Sequence, residues 1–318
     1  MNADLTIKLE LHKKRKPSLS RTLFIILMIA WPLVQFLVFW VYVNFDMIVM
    51  SFQKLDYISG KEVFVGLKNY EWVWDSLTDP VQPALRNSIL NSVLLFLSNN
   101  FILLPVSIFF AYIMQKKVKG SGVFRVIFFL PNIISVVVLT MSFRFMFDST
   151  FGPINNLLKS IGLGGIIPAN GWLGDKNTAL PMVLIYCLWA GIGYNVVLLS
   201  GAMNRIPSEI YEAGKLDGIG MWRELVRIVV PMISGTITTL FISGVSVVFT
   251  LFLQPMLLTG GGPYDGLSGT IALFIVQSIN AGELYHAAAT GMIFTIIGIP
   301  LIQLIKWGME KLFPAVEY

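Results

Sequence analysis

The chain has 318 residues, 55% of them hydrophobic and only 13% charged, with a mean hydropathy of +0.73. A soluble domain carries about 25% Asp, Glu, Lys and Arg, so this composition excludes an ordinary water-soluble globule. One cysteine, Cys187, excludes an intrachain disulfide, and two histidines, His12 and His286, are too few for an ordinary His/Cys zinc cluster, so no metal site is expected.

The formal charge is +5. Within the basic N-terminal segment 1–21, Lys13, Lys14, Arg15 and Lys16 stand together just before the first apolar run. There they would face anionic lipid headgroups rather than nucleic acid. Crossing a hydrocarbon core takes about 20 mainly apolar residues, and six segments meet that length: 22–45, 93–114, 126–147, 180–203, 228–258 and 287–305. The first is too long for a signal-peptide core, and no small-x-small cleavage site follows it. Segment 46–85 mixes Gly60, Gly66, Pro80 and Pro83 with aromatics and acids, which predicts a small ordered cap. Segment 271–279 is too short to span and reads as an interfacial or re-entrant piece. Pro32, Pro105, Pro255 and Pro300 fall inside the spans, where kinked, packed helices tolerate them.

Basic residues set the orientation. Six lie in the N-terminal segment, four between spans two and three, four between spans four and five, and two, Lys306 and Lys311, at the C-terminal end. The opposite side has seven: Lys54, Lys61, Lys68, Arg86, Arg144, Lys159 and Lys176. The expectation is a multi-pass cell-membrane protein with both termini cytoplasmic.

None of the six spans contains Asp, Glu or His, the usual titratable groups of proton-coupled carriers. Sodium sites built from carbonyls and hydroxyls stay open, which keeps a sodium-coupled secondary carrier as an alternative. No GxxxxGK[ST] phosphate loop occurs. Gly260-Gly261-Gly262-Pro263 has no lysine and reads as an outer turn. No catalytic cluster is recognisable, so the chain is read as non-enzymatic, with any driving energy supplied by a cytoplasmic partner.

The segment suited to receive that energy is the loop 205–231. Pro207 and Ser208 fit a helix start and Glu209 its first turn. Gly218 and Gly220 break the run, and 221–226 suits a second short helix. Ile210, Ala213, Leu216, Ile219 and Trp222 give this helix-turn-helix an apolar face to bury, against a protein partner or on the lipid surface. The run Glu212-Ala213-Gly214, Asp217-Gly218, Ile228 and Pro231 resembles the "EAA" loop of permease subunits of binding-protein-dependent ABC importers, departing mildly at Gly214, Ile219 and Val230. Val65-Gly66-Leu67-Lys68-Asn69-Tyr70, Asn87-Ser88, Phe129-Leu130-Pro131 and 258–263 are also similar to carbohydrate-uptake permeases of the maltose and glycerol-phosphate type, the first of the two permeases in such systems.

The resemblance implies an all-α, six-helix membrane domain over 22–318 with the type I importer permease fold. It also implies a second homologous permease, two cytoplasmic ATPase subunits that hold ATP and magnesium, and an extracellular binding protein that delivers the solute. This chain itself would hold no cofactor. ATP-driven closure of the ATPases would rock the permease pair between inward- and outward-facing states. In that machine Glu212 is the candidate for a polar contact to the ATPase, Asp217 for a cap on the second short helix, and Gly218 for the turn between them.

A sugar path needs neutral polar groups beside aromatic rings. Span four offers Trp189, Gly191, Tyr194 and Asn195; in span five Thr236, Thr239, Ser243, Ser246, Thr250 and Gln254 project within an arc of about 80° on an α-helix. Asn99 and Asn100 in span two are read as interhelical bonding groups. The expected cargo is a carbohydrate, an oligosaccharide by the maltose-type resemblance. Glycerol phosphate or a polyamine remains the alternative within the family.

Overall fold

In hydrocarbon the backbone satisfies its own hydrogen bonds, so apolar runs of this length fold as helices. The computed structural model describes residues 19–81, 83–116, 118–261 and 267–312. The basic run Lys13 to Lys16 and the end of the glycine turn, Gly262 and Pro263, lie outside them.

Two units are distinct. The first contains α1 (Ser20–Met50), a 31-residue apolar helix with a π-helical stretch at Phe36–Tyr42 and no side chain buried within its own unit. The second begins at Ser51 with the hairpin β1 (Gln53–Asp56) and β2 (Lys61–Phe64), whose register pairs Gln53 with Phe64 and Asp56 with Lys61. Helix α2 (Lys68–Thr78) follows. The expected cap is thus ordered, but it starts at Ser51, because Asp46 still belongs to α1. Asn69 Nδ2 donates to the carbonyls of Ser51 (2.9 Å) and Gln53 (2.8 Å), fastening α2 to the hairpin.

Five further long or broken spans form the body. Helix α3 (Ala84–Gln115) and α7 (Ala179–Met203) are continuous, as is α13 (Leu284–Leu312). The pair α4 (Ser121–Ile133) and α5 (Val136–Met146) bends by 103°, and the pair α9 (Met221–Met232) and α10 (Ser234–Thr250) by 77°. Among the described residues, up to six segments are therefore long and apolar enough to cross a membrane when each bent pair counts as one. Between them lie α6 (Pro153–Ser160), α8 (Ser208–Leu216), α11 (Leu253–Thr259) and α12 (Ile271–Asn280). Helix α7 packs along the second half of α3 and along α4, while α10 and α12 pack on α13 and the first half of α3. Trp72 of α2 stacks on His286 at the start of α13, ring centroids 4.1 Å apart, and seats the cap.

The prolines explain much of the irregularity. A proline cannot donate to the carbonyl four residues back, and α3 and α9 answer alike: a π-helical stretch at Asn99–Leu103 runs up to Leu104-Pro105, and another at Leu225–Val229 up to Val230-Pro231. The wider turn moves the crowded carbonyl aside. At Pro131 the outcome differs: α4 stops two residues later, and Ile134 is extended (φ −78°, ψ 140°).

Two span expectations are corrected here. Segment 126–147 is two helices, not one. Segment 228–258 is split at Ile233 and again at Leu251, which is extended (ψ 107°). The carbonyl freed at Leu251 is taken by the Thr270 hydroxyl, whose oxygen also accepts the Leu273 N–H (3.2 Å) at the start of α12. Asn91 and Ser92 of α3 hold the same loop, through the Gly269 carbonyl (2.9 Å) and the Ile271 N–H (3.0 Å). A break at membrane depth persists here because neighbouring side chains bond the released backbone groups.

Candidate functional site

The loop between α7 and α10 is a helix-turn-helix whose turn follows from its Asp-Gly pair. Asp217 ends α8, Gly218 adopts φ +68°, the Gly218 N–H reaches the Lys215 carbonyl (3.1 Å) and the Ile219 N–H reaches the Gly214 carbonyl (3.0 Å). Those two bonds form a Schellman motif, which favours glycine at the left-handed position. The sequence expectation that Asp217 caps the second helix is corrected: Asp217 closes α8, and Gly220 stands at that second N-terminus in extended conformation, without a side-chain cap.

The expected apolar face divides in two. Ile210 and Ile219 turn partly inward, Gly214 is buried, and a Cβ there would lie 3.2 Å from Ile228 Cδ1. Behind them Leu225, Val229 and Ile233 join Tyr112, Leu199 and Met203 in one core. Ala213, Leu216 (89% exposed), Met221 and Trp222 (66%) stay uncovered, with Glu212 also exposed. Pro231 lies inside α9 instead of ending the loop.

A residue that sequence reasoning missed fixes this unit to span two. Glu224, 5% exposed, pairs with Lys116 at the end of α3. The Lys116 ammonium also lies 5.1 Å from the Tyr112 ring centroid and 5.4 Å from that of Tyr211 on α8. Tyr112 donates its hydroxyl to the Met221 carbonyl (3.2 Å), and Gln115 Nε2 donates to the Met203 carbonyl (2.9 Å). Helices α3, α7, α8 and α9 are thereby joined by charge and hydrogen bonds where the loop leaves the bundle.

Further along the bundle is a cavity of about 430 Å³ at the helix breaks, walled by Ser98 and Asn99 of α3, Pro131 and Asn132 of α4, Ile134, Cys187 and Gly191 of α7, and Leu251 and Gln254. Asn132 Nδ2 donates to the Ala190 carbonyl (3.3 Å) at its edge. Of the expected path residues, Gly191 and Gln254 meet here. Trp189 stands beside, in an aromatic group with Phe143 (6.1 Å) and Tyr186 (6.2 Å). Tyr194 points outward, 53% exposed, and Asn195 is buried.

The polar stripe of span five ends at Thr250: Gln254 lies on α11 beyond the break at Leu251, so the six residues do not share one helix face. The α10 residue that lines the cavity is Val247, next to the stripe. Ser243 and Thr250 are exposed and Ser246 half-exposed, and each hydroxyl bonds back to its own helix, at the carbonyls of Thr239 (2.9 Å), Ser246 (3.1 Å) and Ile242 (3.3 Å) respectively. The stripe is thus an internally satisfied, uncovered face. From the sequence Asn99 reads as an interhelical bonding group and Asn132 is not singled out; the structure places Asn99 in a π-helical stretch and Asn132 next to Pro131, irregular positions where function often concentrates.

Residues 103–318 match the family model described as "Binding-protein-dependent transport system inner membrane component". A protein named "Probable ABC transporter permease protein YurN" from Bacillus subtilis is 31% identical over 288 residues, covering 88% of this chain and 95% of that one. The "Maltose/maltodextrin transport system permease protein MalF" of Vibrio parahaemolyticus is 33% identical over 64% of this chain, which spans only 38% of the relative's length. Two crystal structures of a bacterial alginate ABC transporter share the fold, with TM-scores of 0.73 and 0.77 at 19% and 18% identity, over 92% and 94% of this chain and 96% and 98% of those chains.

Proposed function

The chain belongs to the family of binding-protein-dependent transport system inner membrane components, and from that premise we propose that it is the permease subunit of an ABC importer that moves a carbohydrate delivered by an extracellular binding protein. It works beside a second permease and two ATPase subunits, which hold ATP and magnesium. Membership in this family disfavours the sodium-coupled carrier. The names of the MalF relatives and the alginate titles support a sugar over glycerol phosphate or a polyamine.

The observation that carries the reading is the helix-turn-helix 208–232: seated by one face in the bundle core, it leaves Leu216, Met221 and Trp222 bare on the other. A large apolar side chain does not gain by facing water, and a solvated linker would not hold it rigidly on a Schellman turn. An ATPase cleft takes this face, with Glu212, Ala213 and the Asp217-Gly218 turn at its edge. Both termini lie on the ATPase side, the cytoplasm. Solute passes through the 430 Å³ cavity and along the Ser243, Ser246 and Thr250 face of α10, beside Trp189, Tyr194 and Asn195.

Two outcomes test this reading. Trp222→Glu together with Leu216→Glu leaves the permease folded, because both side chains are exposed, but strips the ATPase subunits on co-purification and abolishes uptake; full ATPase recovery with normal uptake would refute docking. Cysteines at Gln254 and Asn132 react with small polar thiol reagents at a rate that changes with ATP analogues, whereas a cysteine at buried Val248 stays silent. Nucleotide-insensitive labelling at both cavity positions would remove the cavity from the path.

A further inference from the structure

At the end of α7 far from the coupling loop, the chain between α5 and α7 folds into a fixed polar frame. Asn155, 1% exposed, donates through Nδ2 to the Asp148 carbonyl (2.7 Å) and accepts from Trp172 Nε1 (2.7 Å). The Thr178 hydroxyl donates to the Trp172 carbonyl (2.6 Å), and Asp148 Oδ1 accepts the N–H groups of Thr150 (2.8 Å) and Phe151 (3.2 Å). This interlocking leaves the backbone little freedom, and Gly152 shows how tight it is: a Cβ there would sit 2.5 Å from the Asp148 carbonyl oxygen.

The frame borders a second, half-open cavity of about 270 Å³, distinct from the first, with Arg144, Ser149 and Asn170 exposed at its rim. Four polar side chains border it with bonding capacity to spare. Arg144 donates once, from Nη1 to the Leu257 carbonyl (3.2 Å). Asp148 Oδ2, the Ser149 hydroxyl and the Asn170 amide have no partner among the described residues. Phe147, Trp172, Leu173 and Leu258 are among the other residues that line it. Leu139, Phe143, Tyr186 and Leu258 form an apolar cluster, and Leu139 and Tyr186 also line the deeper cavity, so the cluster stands between the two chambers.

We propose that Arg144, Asp148, Ser149 and Asn170 form an entry subsite for one neutral glycosyl unit, held before it passes the Phe143–Tyr186 cluster into the deeper cavity. The proposal rests on the carbohydrate reading above and narrows it. A guanidinium donates to, and a carboxylate accepts from, the adjacent hydroxyls of a sugar ring, while an indole offers an apolar wall to its C–H face. The paired charges also select: a phosphate ester would meet the Asp148 carboxylate, and a polyamine the Arg144 guanidinium. Preorganisation by the Asn155 frame lowers the ordering cost of such weak contacts.

The test uses the full importer, with both permeases, the ATPases and the binding protein, in proteoliposomes. Thr259→Cys, which lines the cavity without belonging to the subsite, is alkylated with a membrane-impermeant maleimide, native Cys187 setting the background, and Asn156→Cys, exposed outside the cavity, is the control. The probes are maltose, lactose, melibiose and raffinose, then glycerol 3-phosphate and spermidine, each also assayed for uptake. The imported sugar slows alkylation of Thr259→Cys several-fold and leaves Asn156→Cys unchanged; the two charged probes give no protection, and adding Arg144→Gln abolishes it. An imported sugar that gives no protection, or protection that survives Arg144→Gln, overturns the subsite and leaves the carbohydrate reading intact. Uptake of glycerol 3-phosphate or spermidine in place of any sugar overturns the carbohydrate reading and the subsite with it.

Discussion

Replacing Lys116 with Met is expected to weaken the junction between span two and the helix-turn-helix 208–232 more than any other single charge removal among the described residues. Its partner Glu224 has a side chain only 6% exposed, whereas the Lys116 side chain is 34% exposed. Losing the lysine leaves a nearly buried carboxylate without its counter-charge, and breaking a buried pair in this way costs about 3–5 kcal/mol. Glu224→Gln strands the lysine, but that ammonium can turn to solvent and keeps its neighbouring tyrosine rings, so solvent screening places the loss lower, about 1–2 kcal/mol. Denaturant unfolding of the purified permease should rank the three proteins in that order. The reversed pair, Lys116→Glu with Glu224→Lys, should recover part of the loss, since contacting residues couple by about 0.5–3 kcal/mol.

The same variants should separate assembly from coupling. The Trp222 face does not include the ion pair, so on the proposed docking ATPase subunits should still bind to Lys116→Met, while α8 and α9 are no longer held to α3 by charge. Hydrolysis is then expected to continue while uptake per ATP falls. Equal stability of Lys116→Met and the parent, measured under one lipid condition, would show that this pair contributes nothing to the junction.

What the sequence disclosed, and what it hid, follows from the range of each interaction. The apolar runs were legible because crossing hydrocarbon is a matter of local length and composition. The coupling turn was legible because Asp217-Gly218 forms its bonds within six residues. The Lys116–Glu224 pair was not, since its members stand 108 residues apart and each reads alone as an ordinary surface charge. Proline gave no rule by itself. Pro300 stays inside a continuous helix, Pro105 follows a π-helical stretch and Pro131 precedes a break, so the outcome is set by the surroundings of each proline and not by the residue alone. For the same reason Asn99, Asn132 and Gln254 meet in one cavity that no spacing rule foresees, while the stripe drawn through Gln254 assumed a helix that stops at Thr250.

Gly193→Ala is expected to be the most damaging single methyl addition in the bundle. The added Cβ would lie 1.9 Å from the Phe128 carbonyl oxygen, 2.6 Å from its carbon and 2.8 Å from Asn132 Nδ2. A comfortable carbon–oxygen contact is about 3.3–3.6 Å, so α7 and α4 must part by more than an ångström, and the obstacle is backbone, which cannot rotate away. Small residues at membrane helix crossings allow this close approach. Overpacking in a tight core costs about 1–3 kcal/mol and more where nothing yields, so the loss should reach or exceed the upper figure. Two neighbours calibrate it. At Gly191 the nearest atom, 2.7 Å away, is the tip of the Leu103 side chain, which can change rotamer, and at Gly201 nothing lies within 4 Å. Gly201→Ala should therefore be neutral or slightly stabilising through helix propensity, Gly191→Ala mildly harmful, and Gly193→Ala should fail to accumulate as folded protein. Separating α4 from α7 also breaks the Asn132–Ala190 bond at the cavity edge, so any Gly193→Ala protein that does fold should transport poorly while its coupling loop still binds ATPase. Gly193→Ala with parental thermal stability and uptake would mean that the two helices do not touch at this crossing.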